Sequence, residues 1–308
     1  MKLEDLKSAS PTLISKLQEI GINSVEHLLV KGFKDIKALI PDVAEGELQD
    51  LIIEANRQKG FWFITGTEFA ELEKTRICFS TGSKSLDQIL GGGVWSWNVA
   101  EFYGEMGIGK SQILYTIAVE AANKGYNVIY IDSEGTCREK RMFEIAEKRG
   151  YNPSDVGKHL TFIRTLDTDI LFEVIDRLPV TIEAKDIKLI CVDSFITPFR
   201  AEYIGREMLA PRQQAIGRAA GKLRIMAQVY NIAVAITNQV VAVPTQMPTH
   251  GGFEYKPTGG FVLGHVSEPR VWVRRAEGSK RIARVVDSSW LPEAEATFKI
   301  TEAGVIDI

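Results

Sequence analysis

Apolar residues in the first 60 positions recur at three- and four-residue spacing, and Ser, Pro and Gly cut the pattern into short pieces. The segments SPTLISKLQEIG, SVEHLLVKG, FKDIKALI and AEGELQDLIIEANRQKG predict a small helical domain over residues 1–59. GFWFITGTEF (60–69) has a different character, aromatic and β-branched between glycines, and predicts a strand or an extended linker within a connecting segment, 60–75. From about Thr75 near-continuous apolar runs alternate with helical stretches: WNVAEFYG (97–104), NVIYID (127–132), LTFIRTL (160–166), KLICVDS (188–194) and IAVAITNQ (232–239). Strands apolar on both sides predict a mainly parallel sheet flanked by helices, so residues 76–308 read as an α/β core. RVWVRR, KRIARVVD and ATFKI follow one another without helices between them and predict an antiparallel extension of that sheet. The chain has no internal repeat and no low-complexity tract.

At 308 residues the chain holds one large core and a small appendage. A net charge of -3 argues against a histone-like cationic coat and leaves any anionic partner to be met by a local basic groove. The three cysteines and four histidines show no metal-ligand spacing, which predicts a reduced, intracellular protein without zinc. No leader-like segment and no apolar run of about 18 residues is present, so a cytoplasmic protein without a membrane span is expected.

GEMGIGKS (104–111) fits G-x-x-x-x-G-K-[ST] between a predicted strand and a predicted helix. Gly104, Gly107 and Gly109 let successive N–H groups turn toward an anion, while the helix that follows presents its positive end. Lys110 is placed to reach β- and γ-phosphates, and the Ser111 hydroxyl to hold Mg²⁺. Asp193 ends an apolar strand at the edge where such sheets bind ligands and is the candidate partner of that metal; Glu134 follows another strand end and is the candidate base for an attacking water. A helix cap or a solvated loop is the plainer reading of either carboxylate. Asn238 and Gln239 in ITNQ sit where an amide could sense a γ-phosphate, with a simple turn as the alternative.

FRAEYIGREMLAPRQQ (199–214) concentrates Arg200, Arg206 and Arg212 after the Asp193 strand. Arginine offers planar forked donors for phosphate, while Gly and Pro hold the segment away from the sheet. From these residues alone, a nucleic-acid contact and a solvated helix start both stand.

The stretches STGSKSLDQILGGG, GEMGIGKSQ, DSEGT, FRAEYIGRE, NQVVA and LPEAEATFKIT, in this order, resemble the archaeal RadA recombinases and their Rad51, Dmc1 and RecA relatives. The likeness runs from about residue 60 to the end. It implies a RecA-type P-loop ATPase core that uses ATP and Mg²⁺, forms a helical filament on single-stranded DNA, engages double-stranded DNA and exchanges strands in recombination and repair. It further implies nucleotide contacts from Gly104, Glu105, Met106, Gly107, Ile108, Gly109, Lys110, Ser111 and Gln112, adenine stacking by Arg141, and catalysis by Lys110, Glu134 and Gln239. Arg200, Arg206 and Arg212 match a first DNA-binding loop, and residues 240–260 a second. DSSWLP (287–292), with Asp287 and Pro292, matches a cap over a neighbour's ATP, and His265 a residue that senses phosphate across the same interface. Phe63 and Gly66 in FITG occupy a polymerisation motif whose last residue is usually Ala. The helical domain lacks the hairpin glycines that grip duplex DNA in relatives. The implied setting is an archaeal cytoplasm, in association with the nucleoid and possible recombination mediators. Two readings compete: a paralogue that binds ATP and regulates a recombinase without exchanging strands, and a RecA-fold ATPase of another kind, a hexameric helicase or a phosphotransfer ATPase.

Overall fold

A computed structural model describes residues 1–244 and 253–308, which divide into two compact units, Met1–Arg76 and Ile77–Ile308.

The first unit holds α1 (Pro11–Glu19), α2 (Val25–Leu39), α3 (Glu45–Gln58) and α4 (Gly66–Glu73). The hydroxyls of Ser10 and Ser24 accept the backbone N–H groups of Leu13 and His27, capping α1 and α2, and Pro11 stands in the first turn of α1. Within α2, Gly32 departs from helical geometry with φ +74°, which breaks the element where the sequence pattern already separates two pieces. Leu13, Leu17, Leu28, Ile36, Leu48 and Leu51 close the core of this unit. No strand forms in 60–69. The Thr65 hydroxyl and the Glu68 carboxylate cap each other's backbone N–H at 3.3 and 2.7 Å, and helix geometry takes over from Gly66.

The second unit runs β1 (Cys78–Phe79), α5 (Lys84–Ile89), β2 (Val94–Trp95), β3 (Val99–Gly104), α6 (Lys110–Asn123), β4 (Asn127–Asp132), α7 (Glu139–Lys148), α8 (Pro153–Lys158), β5 (Leu160–Arg164), α9 (Thr168–Lys185), β6 (Ile187–Asp193), α10 (Thr197–Glu202), α11 (Leu209–Val229), β7 (Ala233–Pro244), β8 (Phe253–Pro257), α12 (Gly260–Gly264), β9 (Arg270–Arg275), β10 (Lys280–Asp287), β11 (Ala294–Thr301) and β12 (Gly304–Ile306). The main sheet has the order β12-β11-β10-β9-β3-β7-β6-β4-β5, with β8 paired to β7. Strands β9 through β5 in that order are mutually parallel, and β10 to β12 extend the sheet antiparallel. The expected architecture is therefore present. One strand runs longer than expected: β7 continues past Gln239 to Pro244 because its Val-rich end pairs with β8, Val240 opposite Pro257 and Ala242 opposite Tyr255. The centre of the second-loop stretch, 245–252, lies outside the described residues.

The two rims of this sheet differ. At β12 the Val305 N–H donates to Thr116 Oγ1 at 3.1 Å and the Val305 carbonyl accepts from Arg149, so side chains occupy the outer ladder positions. At β5 no strand among the described residues pairs with the outer side, and Phe162, Leu166 and Ile170 are exposed on and after it. Among the described residues no helix is long and apolar enough to cross a membrane.

Candidate active site

Strand β3 lies in the middle of the sheet and is buried along its whole length, so the loop that leaves it is anchored on both sides before it reaches solvent. Gly104 ends the strand, and a Cβ there would stand 2.2 Å from the Val273 carbonyl oxygen, which excludes any side chain. Gly109 caps α6 with φ +103°, a conformation open to glycine, and turns the chain into the helix at Lys110. From the other side Arg281 Nε donates to the Ile108 carbonyl at 2.8 Å and Arg275 Nη2 to the Gly107 carbonyl at 3.2 Å. Lys110 Nζ donates to the carbonyls of Gly104 and Glu105 at 3.0 and 2.8 Å. Burial pushes the Lys110 ammonium below its ordinary value, with Glu134 and Asp193 pulling the other way.

Asp193, at the end of β6, is 3% exposed. Thr237 Oγ1 donates to it at 2.6 Å and Tyr130 OH at 2.7 Å, and the Ser111 hydroxyl also bonds it. Burial raises its pKa despite these donors. Among the described residues no group of three or more His, Cys, Asp or Glu could hold a metal alone. A serine hydroxyl beside one carboxylate is instead the incomplete oxygen set that Mg²⁺ takes when phosphate and water supply the remaining ligands. Loop, lysine and this pair together fit a nucleoside triphosphate with its magnesium.

Glu134 sits two residues past the DSEGT aspartate, Asp132, whose buried carboxylate organises the turn. The Asp132 carboxylate accepts the backbone N–H groups of Glu134 and Thr136 at 3.2 Å each and of Cys137 at 3.1 Å, fixing the turn that presents Glu134. Glu134 Oε1 then accepts Thr197 Oγ1 at 2.9 Å and Gln239 Nε2 at 3.0 Å. The two amides of ITNQ part company. Asn238 is fully buried and donates to Glu101 and the Thr258 carbonyl, whereas Gln239 faces the site.

A cavity of about 470 Å³ collects Met106, Gly107, Gly109, Lys110, Ser111, Gln112, Glu134, Asp193, Gln239 and Arg200. Arg200 is thus at the nucleotide cavity, while Arg206 is exposed between α10 and α11 and Arg212 lies in the first turn of α11. Cations beside a helix N-terminus are disfavoured by the helix dipole unless an anion joins them. Arg141 lies outside the cavity lining; its guanidinium donates to Gln112, Glu144 and the carbonyls of Thr301 and Glu302, tying α7 to the β11–β12 turn. Asp287 and His265 line a separate cavity of about 320 Å³ with Arg224 and Glu268, and Pro292 lies in the β10–β11 connection nearby in sequence. Glu105 is bonded by the Tyr255 hydroxyl of β8. Phe63 is 92% exposed, and Gly66 opens α4.

Sequence reasoning missed Thr197, Thr237, Tyr130, Asp132, Arg275 and Arg281. The hydroxyls carry no pattern of their own. Arg275 and Arg281 were visible as charges in adjacent strands, but only the register, Arg281 opposite Arg275, puts both behind the loop.

The Rad51 family model matches residues 73–308. The DNA repair and recombination protein RadA of Ignicoccus hospitalis is 36% identical over 315 aligned positions, covering 98% of this chain and 94% of that protein. The protein of the same name from Aeropyrum pernix is 36% identical over 314 positions, covering 99% and 96%. Family match, near full-length likeness and a P-loop leaving the central strand agree: the chain belongs to the Rad51 family, and its core is a RecA-type, DNA-dependent ATPase.

Proposed function

We propose that this protein is an ATP-dependent strand-exchange recombinase that assembles on single-stranded DNA and pairs it with a homologous duplex. The observation that carries the reading is the hydrogen-bonded path from Glu134 through Gln239 to Arg200, which puts a hydrolytic carboxylate and a candidate DNA-binding arginine in one network. A regulator that never exchanges strands has less use for such a path.

Bound ATP and Mg²⁺ supply the phosphoryl group to be cleaved and the charge neutralisation that cleavage needs. The chain's own groups do the rest. The loop amides and Lys110 hold phosphate oxygens, Ser111 and Asp193 hold the metal, and Gln112 extends the contact along α6. Glu134 takes the proton of the attacking water while Thr197 holds the carboxylate, and Gln239 serves the same step from beside it at the terminal phosphate. Arg206 and Arg212, at the positive end of α11, hold DNA phosphates, and residues 240–260 form the second contact. Arg141 serves the adenine side, while Asp287, Pro292 and His265 serve a neighbour's nucleotide.

Assembly uses the exposed Phe63 and the FITG segment as an added strand on another copy. The open β5 rim, with exposed Phe162, Leu166 and Ile170, supports the acceptor role. The domains in this reading are 1–59, the 60–75 connector and the 76–308 core, in a cytoplasmic, nucleoid-associated protein.

Exchange between a labelled duplex and homologous single-stranded DNA, run with and without ATP, tests the proposal. ATP-dependent product that Lys110→Ala abolishes supports it. ATP hydrolysis without any exchange would favour the paralogue.

A further inference from the structure

Arg200, on the short helix α10, directs Nη1 to Gln239 Oε1 at 2.5 Å. The other end of the same amide, Nε2, donates to Glu134 Oε1 at 3.0 Å and contacts Thr197 Oγ1 at 3.2 Å. A carboxamide has one accepting end and one donating end. A cation on one side and a carboxylate on the other leave it a single satisfied orientation, nitrogen toward Glu134. Thr197 Oγ1 donates to the same oxygen, so Glu134 Oε1 carries two donors while Arg200 stays in place.

We infer that Arg200 is a positioning residue that sets the Gln239 amide and so transmits DNA occupancy to the hydrolytic carboxylate. This rests on the recombinase reading above. Among the described residues Arg200 forms no ion pair with a carboxylate, its side chain is exposed, and it belongs to the arginine-rich segment. A DNA phosphate carries a full negative charge and can accept both arms of the guanidinium fork, whereas the Gln239 oxygen is neutral and takes a single N–H, so phosphate is the stronger acceptor. Phosphate therefore competes with Gln239 for the guanidinium. Once Arg200 leaves, the amide is free to turn its nitrogen away from Glu134. Oε1 loses one donor, and a lone pair becomes available to receive the proton of the attacking water. The same motion frees the amide to address a terminal phosphate. Arg200 acts here through Gln239, and its contact with DNA is the trigger.

The test compares wild type, Arg200→Ala, Gln239→Ala and the double variant. ATP turnover is measured without DNA and at concentrations of a single-stranded oligonucleotide that a labelled titration shows to be saturating. The expected result is that the ratio of turnover with DNA to turnover without it falls toward one in Arg200→Ala even at full occupancy, and falls no further in the double variant. Arg200→Lys, which keeps the charge but not the fork, is expected to bind the oligonucleotide while recovering only part of the ratio. Recovery of the wild-type ratio by Arg200→Ala once DNA saturates would reduce Arg200 to a phosphate contact and overturn the inference, as would effects of the two single changes that multiply. A wild-type ratio of one would instead remove the recombinase reading itself.

Discussion

Arg281 approaches the nucleotide loop from behind, its Nε 2.8 Å from the carbonyl oxygen of Ile108. Carbonyl and N–H point in opposite directions across a trans peptide, so holding the Ile108 oxygen on one side aims the Gly109 N–H to the other, into the loop. Arg275 does the same for the peptide before it. Arg281→Met is expected to weaken binding of a nonhydrolysable ATP analogue about tenfold, given about 1.5 kcal/mol for a hydrogen bond from a charged group. Fluorescence titration of the analogue checks it, and unchanged affinity would leave the loop self-supporting.

Glu101 is fully buried between two donors, Arg270 Nε at 2.7 Å and Asn238 Nδ2 at 2.6 Å, and so joins β9, β3 and β7 beneath the site. Arg270→Met strands that carboxylate in the core, which costs about 3–5 kcal/mol. The double change Glu101→Gln with Arg270→Met removes the stranded charge and is expected to recover much of the loss. Urea unfolding of the three proteins decides it, since equal losses in single and double variants would mean that packing rather than charge sets the cost.

Gly66 has ordinary backbone torsions and open space where a Cβ would stand. Ala therefore fits without strain and restores the methyl usual in the motif. If that methyl is buried in a neighbour, it adds about 0.8 kcal/mol, or about fourfold in the concentration needed for assembly. Light scattering of Gly66→Ala against wild type measures the shift; Phe63→Ala should move it the other way.

Asp307 accepts the Ser83 hydroxyl at 2.6 Å and the backbone N–H groups of Lys84 and Ser85, and these donors hold its carboxyl at about 2, below the ordinary 3.8. A depressed acid stabilises the fold fully above the unfolded value and loses that contribution as pH falls toward 2. The melting temperatures of wild type and Asp307→Asn should differ at neutral pH and converge between pH 4 and 2. A gap that persists unchanged across that range would assign the effect to packing.

Local chemistry explains what the chain disclosed in advance. The runs that became β3, β4, β6 and β7 are apolar on both faces because helices cover them, and a parallel sheet leaves that imprint directly in sequence. The loop at 104–111 was legible because its glycines answer to sterics and to φ, both local. Gln239 and Asn238 could not be told apart, because only strand register decides which amide faces the core. Arg200 looked like a DNA contact alone, since its 39-residue reach to Gln239 exists only once β6 and β7 are neighbours. FITG reads as a possible strand from its aromatic and β-branched residues, yet the reciprocal cap of Thr65 and Glu68 starts a helix at Gly66 within the chain.

The unequal rims of the sheet bear on polarity. Thr116 and Arg149 seal β12 while β5 has no outer partner among the described residues, so in the assembly proposed above β5 accepts a visiting segment and residues 63–66 donate one. Unlike surfaces that meet head to tail do not use themselves up in a closed pair. Each growing assembly then ends in one bare acceptor and one bare donor, and a short peptide carrying FITG would stop elongation at the first of these while leaving the second able to grow.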